Sequence, residues 1–125
     1  MAHLLVLDDD DSVLRSLRRI LERDGHEVTG VGAAREALDH LRDETPDLVI
    51  SDVFMPEMDG IEFLLEVREL QPDLPILVIS GGGFAPADFV LEDASQLGAD
   101  AILSKPFEQS ELLERVRLLL ADAAD

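Results

Sequence analysis

The sequence predicts an α/β fold in which a single doubly wound parallel sheet is covered by helices on both faces. Three observations carry that prediction. Short apolar runs alternate with amphipathic stretches five times along the chain. The runs are apolar at consecutive positions, the pattern of strands buried on both faces, and alternation of this kind leads to parallel sheets with right-handed crossovers. The length of 125 residues, 46% of them hydrophobic, suits one domain with a real core, expected over residues 1–125.

The elements follow in order. Leu4-Leu5-Val6-Leu7 reads as the first strand, cut off by acids. Ser12 to Arg23 places Val13, Leu14, Leu17, Ile20 and Leu21 at helical spacing, with Arg15, Arg18, Arg19 and Glu22 outside, and Asp24-Gly25 ends it. Asp10 or Asp11 is expected to cap this helix, where an acid also suits the dipole. Glu27 to Val31 is a second strand and Ala33 to Arg42 a second helix. Leu48 to Ile50, the helix Ile61 to Leu70, and the strand Pro75 to Ile79 continue the pattern. A loop with Gly81-Gly82-Gly83 then leads to a fourth helix over Ala87 to Leu97. Ala101 to Leu103 is a short fifth strand, Gln109 to Leu120 the closing helix, and Ala121 to Asp125 a fraying tail. For five such units the common open arrangement is the flavodoxin-like three-layer sandwich with strand order 2-1-3-4-5.

Composition narrows the partners. The formal net charge of −18 repels nucleic acid phosphates and anionic lipid, so neither is expected to bind directly. No stretch approaches eighteen apolar residues, the start lacks a secretory signal, and no cysteine offers a disulfide or a thiolate metal site. A cytoplasmic location is expected. Nine of the ten basic residues are arginine; the single lysine, Lys105, is followed by Pro106. A compact ammonium and a planar guanidinium are not chemically interchangeable.

In open parallel sheets ligands gather beyond the carboxyl ends of the strands, where the winding reverses. The first strand ends at Asp8-Asp9, the third at Asp52, the fourth at Ser80 and the fifth at Ser104-Lys105. Singly, each has an ordinary reading as a cap, a loop hydroxyl or a solvated charge. Together they are three carboxylates, a hydroxyl and an ammonium at one edge. Clustered carboxylates repel unless a cation joins them. Mg2+ suits such a set, because it takes one or two carboxylates, keeps waters and holds phosphate oxygens; Mn2+ is the alternative. Lys105 would attract phosphoryl oxygens and Ser80 could donate to another. Asp52, central among these groups, is the candidate nucleophile, and carboxylates are known to form aspartyl phosphates.

The motifs LLVLDDDDSVLRSL, PDLVISDVFMPEMDG, PILVIS and GADAILSKPF, spread over nearly the whole chain, resemble those of the CheY-like response-regulator receiver domains of two-component signal transduction. The resemblance implies that Asp8 and Asp9 are the acidic pair, Asp52 the phosphoacceptor, Ser80 the switch hydroxyl and Lys105 the family lysine. It adds the backbone carbonyl of Phe54 as a metal ligand and a cis candidate at Lys105–Pro106, X–Pro being the tolerable place for one. It implies a sensor histidine kinase or histidine phosphotransfer protein as donor, docking near Leu14 or Leu17. A downstream target or dimer is expected on the face of the fourth helix, fifth strand and closing helix. No output domain is expected after Leu120, so the signal leaves through that surface. The implied domain is not a turnover enzyme; it catalyses only its own phosphorylation and slow dephosphorylation. Two departures stand out. The switch position, usually aromatic, is Ile102, so a smaller aliphatic repacking is expected there. Phe54 and Gly82 occupy the positions that tune phosphoryl loss, and neither side chain can orient a water.

Other readings are weaker. His3, His26 and His40 are scattered in the sequence and indicate no metal cluster. The run Asp8 to Asp11 lacks the glycine and closing glutamate of a calcium loop, and the glycine triplet is no P-loop. An aspartyl-phosphate hydrolase would need an acid where Phe54 stands. The alternative kept open is a receiver-like interaction module that works without phosphorylation.

Overall fold

The computed structural model describes residues 2–52, 60–80, 99–104 and 107–124, with the side chains of Gly60, Ile61, Ser80, Ser104 and 122–124 left aside. Its five strands are β1 (His3–Leu7), β2 (Glu27–Val31), β3 (Leu48–Asp52), β4 (Ile76–Ser80) and β5 (Ala101–Ser104). They form one parallel sheet in the order β2-β1-β3-β4-β5, as expected. Among the described residues the helices are α1 (Asp11–Arg23), α2 (Ala34–Asp43), α3 (Gly60–Leu70) and a C-terminal helix (Gln109–Ala124). The expected helix over residues 87–97 and the glycine triplet lie outside the described residues.

Strand alternation decides which helices cover which face. Leu5, Leu7, Val49, Ile76 and Val78 pack with Ala37, Leu38 and Leu41 of α2 and with Phe63, Leu64 and Val67 of α3. Leu4, Val6, Leu48, Ile50, Leu77 and Ile79 point the other way and pack with Leu17 and Leu21 of α1 and Leu112 and Val116 of the C-terminal helix. Both clusters are buried, so the sheet is the middle of three layers. Burying each such aliphatic side chain is worth roughly 1.5–3 kcal/mol relative to leaving it exposed. Gly30 lets α1 come close to β2, because a Cβ there would stand 3.2 Å from the side chain of Leu14.

Element ends differ from expectation by a residue or more, each for a local reason. The helix expected from Ser12 starts at Asp11, with Asp10 as its cap: Asp10 Oδ1 accepts from the backbone N–H groups of Ser12 and Val13 at 2.9 and 3.4 Å. The second helix runs Ala34–Asp43 rather than Ala33 to Arg42, with Ala33 as an extended residue before it. The third strand extends to Asp52 and the fifth to Ser104, because ladder pairing with the neighbouring strand continues past the apolar run. The fourth runs Ile76–Ser80, one residue later than expected: Pro75 has no N–H to give a ladder, and its carbonyl accepts from Val49. The closing helix does not stop at Leu120 but continues through Ala124, so the stretch expected to fray is helical up to that residue.

Candidate phosphoryl-transfer site at the carboxyl edge of the sheet

The register of the central strands builds the site. Leu7 of β1 pairs with Ser51 of β3, so Asp8 and Asp52 are the next residues along neighbouring strands. Both continue the face of Val6 and Ile50, since side chains two apart in a strand share a side. The Asp8 N–H still donates to the Val31 carbonyl of β2 at 3.2 Å, which holds the residue in line with the sheet just past the end of β1. Asp9 begins the turn into α1. One carboxylate oxygen from each of Asp8, Asp9 and Asp52 lies within 4.8 Å of the others.

The three acids differ in environment. Asp8 is 1% exposed and Asp52 8%, whereas Asp9 is open to solvent. The Asp8 Oδ1 accepts from the Asp10 N–H at 2.9 Å, fixing the carboxylate at the turn. The Ser51 hydroxyl donates to the Asp52 carbonyl at 2.9 Å. The run of four acids thus divides its work: Asp8 and Asp9 face the cluster, Asp10 caps α1, and Asp11 lies in its first turn.

This donor set fits a hard divalent cation. All three groups offer carboxylate oxygens, the ligands Mg2+ prefers, and the exposed side at Asp9 leaves room for the waters that this ion retains. Two buried like charges side by side are otherwise unfavourable, and a cation removes the repulsion.

Of the remaining expected site residues, the backbone of Ser80 ends β4. Its neighbour Ile79 pairs with Asp52, and Ser80 itself pairs with Ser104, the residue before Lys105. Ile102 is partly buried against the cluster under α2 and α3. Phe54, Lys105 and Pro106 lie outside the described residues, and with them the expected metal-ligating carbonyl, the ammonium and the cis bond.

One expectation is corrected. The histidines are not all scattered: the rings of His3 and His40 meet edge to face with centroids 5.9 Å apart, and both lie beside Glu44. Only His26 stands apart from them, 3.5 Å from Asp24. The sequence did hold a signal for this. His3 shares the parity of Leu5 and Leu7, the residues that face α2, and His40 and Glu44 are four apart at the end of that helix.

Residues 4–117 match the response regulator receiver domain family. The chain is 44% identical over 119 residues to the response regulator MprA of Mycolicibacterium vanbaalenii, an alignment covering 94% of this chain and 49% of that protein. The MprA of Mycobacterium avium is 43% identical over the same length. The chain therefore spans about half the length of the curated relatives it matches. Among solved structures, the CheY-like receiver domain protein of Methanospirillum hungatei superposes with a TM-score of 0.91 at 30% identity, covering 99% of this chain and 97% of that one. A putative response regulator of Chloroflexus aurantiacus gives 0.89 at 36% identity, covering 96% and 98%. Among the described residues no helix is long and apolar enough to cross a membrane. Sequence and fold agree: the chain belongs to the response regulator receiver domains of two-component systems.

Proposed function

We propose that Asp52 is the phosphoacceptor of this receiver domain and that Asp8 and Asp9 hold the divalent ion its phosphorylation requires. The observation that carries this reading is the convergence of the three carboxylates at the carboxyl edge of the central strands. The Phe54 carbonyl completes the protein's share of the ligands. Mg2+, or Mn2+ in its place, supplies charge neutralisation for the phosphoryl oxygens when bound.

The donor is a phosphohistidine on a sensor kinase or phosphotransfer protein. A carboxylate oxygen of Asp52 attacks the phosphorus in line; the O–P bond forms as the P–N bond breaks, and the leaving imidazole recovers its electron pair and takes a proton from solvent. Burial of Asp52 excludes water from one side of the acyl phosphate. Lys105 attracts the transferred oxygens as a point charge and Ser80 donates a hydrogen bond to one of them. These contacts, absent before phosphorylation, bias the segment from Ser80 to the C-terminal helix between two arrangements, with Ile102 repacking against the core under α2 and α3.

In this reading the domain signals rather than turns over substrate, with slow loss of its own phosphoryl group. Its output is a downstream protein or a second copy docking on the face of β5 and the C-terminal helix. A cytoplasmic site of action belongs to the same reading. Incubation with acetyl phosphate and Mg2+ tests it by intact mass. A stable gain of one phosphoryl group, lost with Asp52→Asn and with chelation, is expected. No gain would point to the phosphorylation-independent module, and multiple turnover to a hydrolase.

A further inference from the structure

At the opposite edge of the sheet, we propose a second metal site: His3, His40 and Glu44 bind a borderline transition-metal dication such as Zn2+. One ligand atom from each of the three lies within 4.8 Å of the others. The set is two imidazoles and one carboxylate, which selects Zn2+, Ni2+ or Cu2+ over the hard ions suited to an all-carboxylate site.

Three features beyond proximity support it. First, His40 Nε2 and Glu44 Oε2 are 3.4 Å apart, yet the ring nitrogen is shielded from solvent and has no hydrogen-bond partner among the described residues. Two ligands roughly 2.0–2.1 Å from a tetrahedral zinc stand about 3.3–3.4 Å apart, so the pair already has the spacing of two ligands on one ion. Second, His3 Nε2 is 2.8 Å from the Thr29 hydroxyl of β2. This contact orients the ring, and in the proposed site Nδ1 would be the ligand with the Nε2–Thr29 contact kept behind it, the usual support of a metal-bound histidine. Third, the backbone under the site is held. The His3 N–H donates to Asp47 Oδ2 and its carbonyl accepts from the Asp47 N–H, both at 2.8 Å, and the Glu44 N–H donates to the His40 carbonyl at 2.9 Å. A pre-positioned framework leaves only side-chain torsions to adjust on binding.

The three protein ligands leave a fourth position for water. The ion would tie the last turn of α2 to the first residue of β1, roughly 17 Å along the strand from the acidic cluster at about 3.3 Å per residue. Its occupancy is therefore separable from phosphorylation.

Calorimetric titration of untagged protein with Zn2+, in a large excess of Mg2+ to fill the acidic cluster, tests the proposal. One equivalent of zinc is expected to bind, with affinity reduced at least tenfold by His40→Gln or Glu44→Gln and about tenfold by Thr29→Val. Labelling by acetyl phosphate should persist in His40→Gln. Histidine ring NMR of the wild-type chain gives a readout that no folding defect can obscure: His3 and His40 shift together at one equivalent while His26 does not. Zinc uptake that is unchanged in His40→Gln, that perturbs His26 instead, or that is absent under excess Mg2+ overturns it.

Discussion

The two edges of the sheet follow opposite electrostatic rules. At the carboxyl edge, Asp8, Asp9 and Asp52 crowd like charges together, two of them buried. At the amino edge, opposite charges and backbone groups are paired. Asp47 accepts from the His3 N–H. Asp100 Oδ2 accepts from the Ile76 N–H at 2.8 Å and from Arg68 Nη2 at 2.7 Å, and Arg68 Nη1 also donates to the carbonyl of Leu74. Asp24 receives a two-pronged hydrogen bond from Arg117 at 2.7 and 3.3 Å, linking the end of α1 to the C-terminal helix. One edge crowds like charges together at a cost in stability; at the other, these ion pairs and hydrogen bonds tie neighbouring elements together. Ligand sites of open parallel sheets form chiefly at the carboxyl ends of strands, and the pairs just named at the amino ends hold the layers together beside the proposed His3–His40–Glu44 site.

The most severe break in this contrast is Asp52→Asn, which should abolish phosphoryl labelling outright while leaving the fold intact, as checked by circular dichroism. A smaller but still large effect is expected at the other edge. Asp100→Ala leaves the Ile76 N–H without its acceptor and should cost about 1–3 kcal/mol in urea unfolding, with labelling retained. Asp9→Asn should act in both directions. Weaker Mg2+ binding, by roughly tenfold, should accompany a higher melting temperature in chelator, because like charges a few ångströms apart repel by about 1 kcal/mol even in bulk water. If the melting temperature falls instead, repulsion among the carboxylates is not what limits stability at that edge.

The smallest expected effect is on acid sensitivity. The hydrogen bond from Arg117 holds the Asp24 carboxyl below its ordinary value of 3.8, outweighing the opposing effect of partial burial. A carboxyl lowered in the folded state adds stability above its unfolded value, and that contribution disappears as pH falls through the lowered folded value. Arg117→Ala should therefore return the Asp24 titration toward 3.8, followed by carboxyl-carbon NMR, and should matter little once both forms are protonated.

Much of this was legible in the sequence because it follows from local pattern. Runs such as Leu4–Leu7 are short and apolar at every position, which suits a strand covered on both faces, and the alternation of such runs with helices points to a parallel sheet. Since ligands collect where strands end, Asp8, Asp9 and Asp52 could be assigned to one edge from the positions of the runs alone. The cap was readable to within one residue, as Asp10 or Asp11, because a cap needs only the backbone N–H groups two and three residues further on; the structure gives the role to Asp10.

What the tertiary structure decided is whatever depends on register and on which face a helix covers. That Asp8 and Asp52 stand side by side follows from Leu7 pairing with Ser51, and no composition or spacing fixes a pairing between strands some forty residues apart. The meeting of His3 with His40 and Glu44 depends further on α2 packing over the odd-numbered residues of β1 rather than the even ones. A one-residue slip in a strand exchanges its two faces, so such neighbours are settled only when the layers pack.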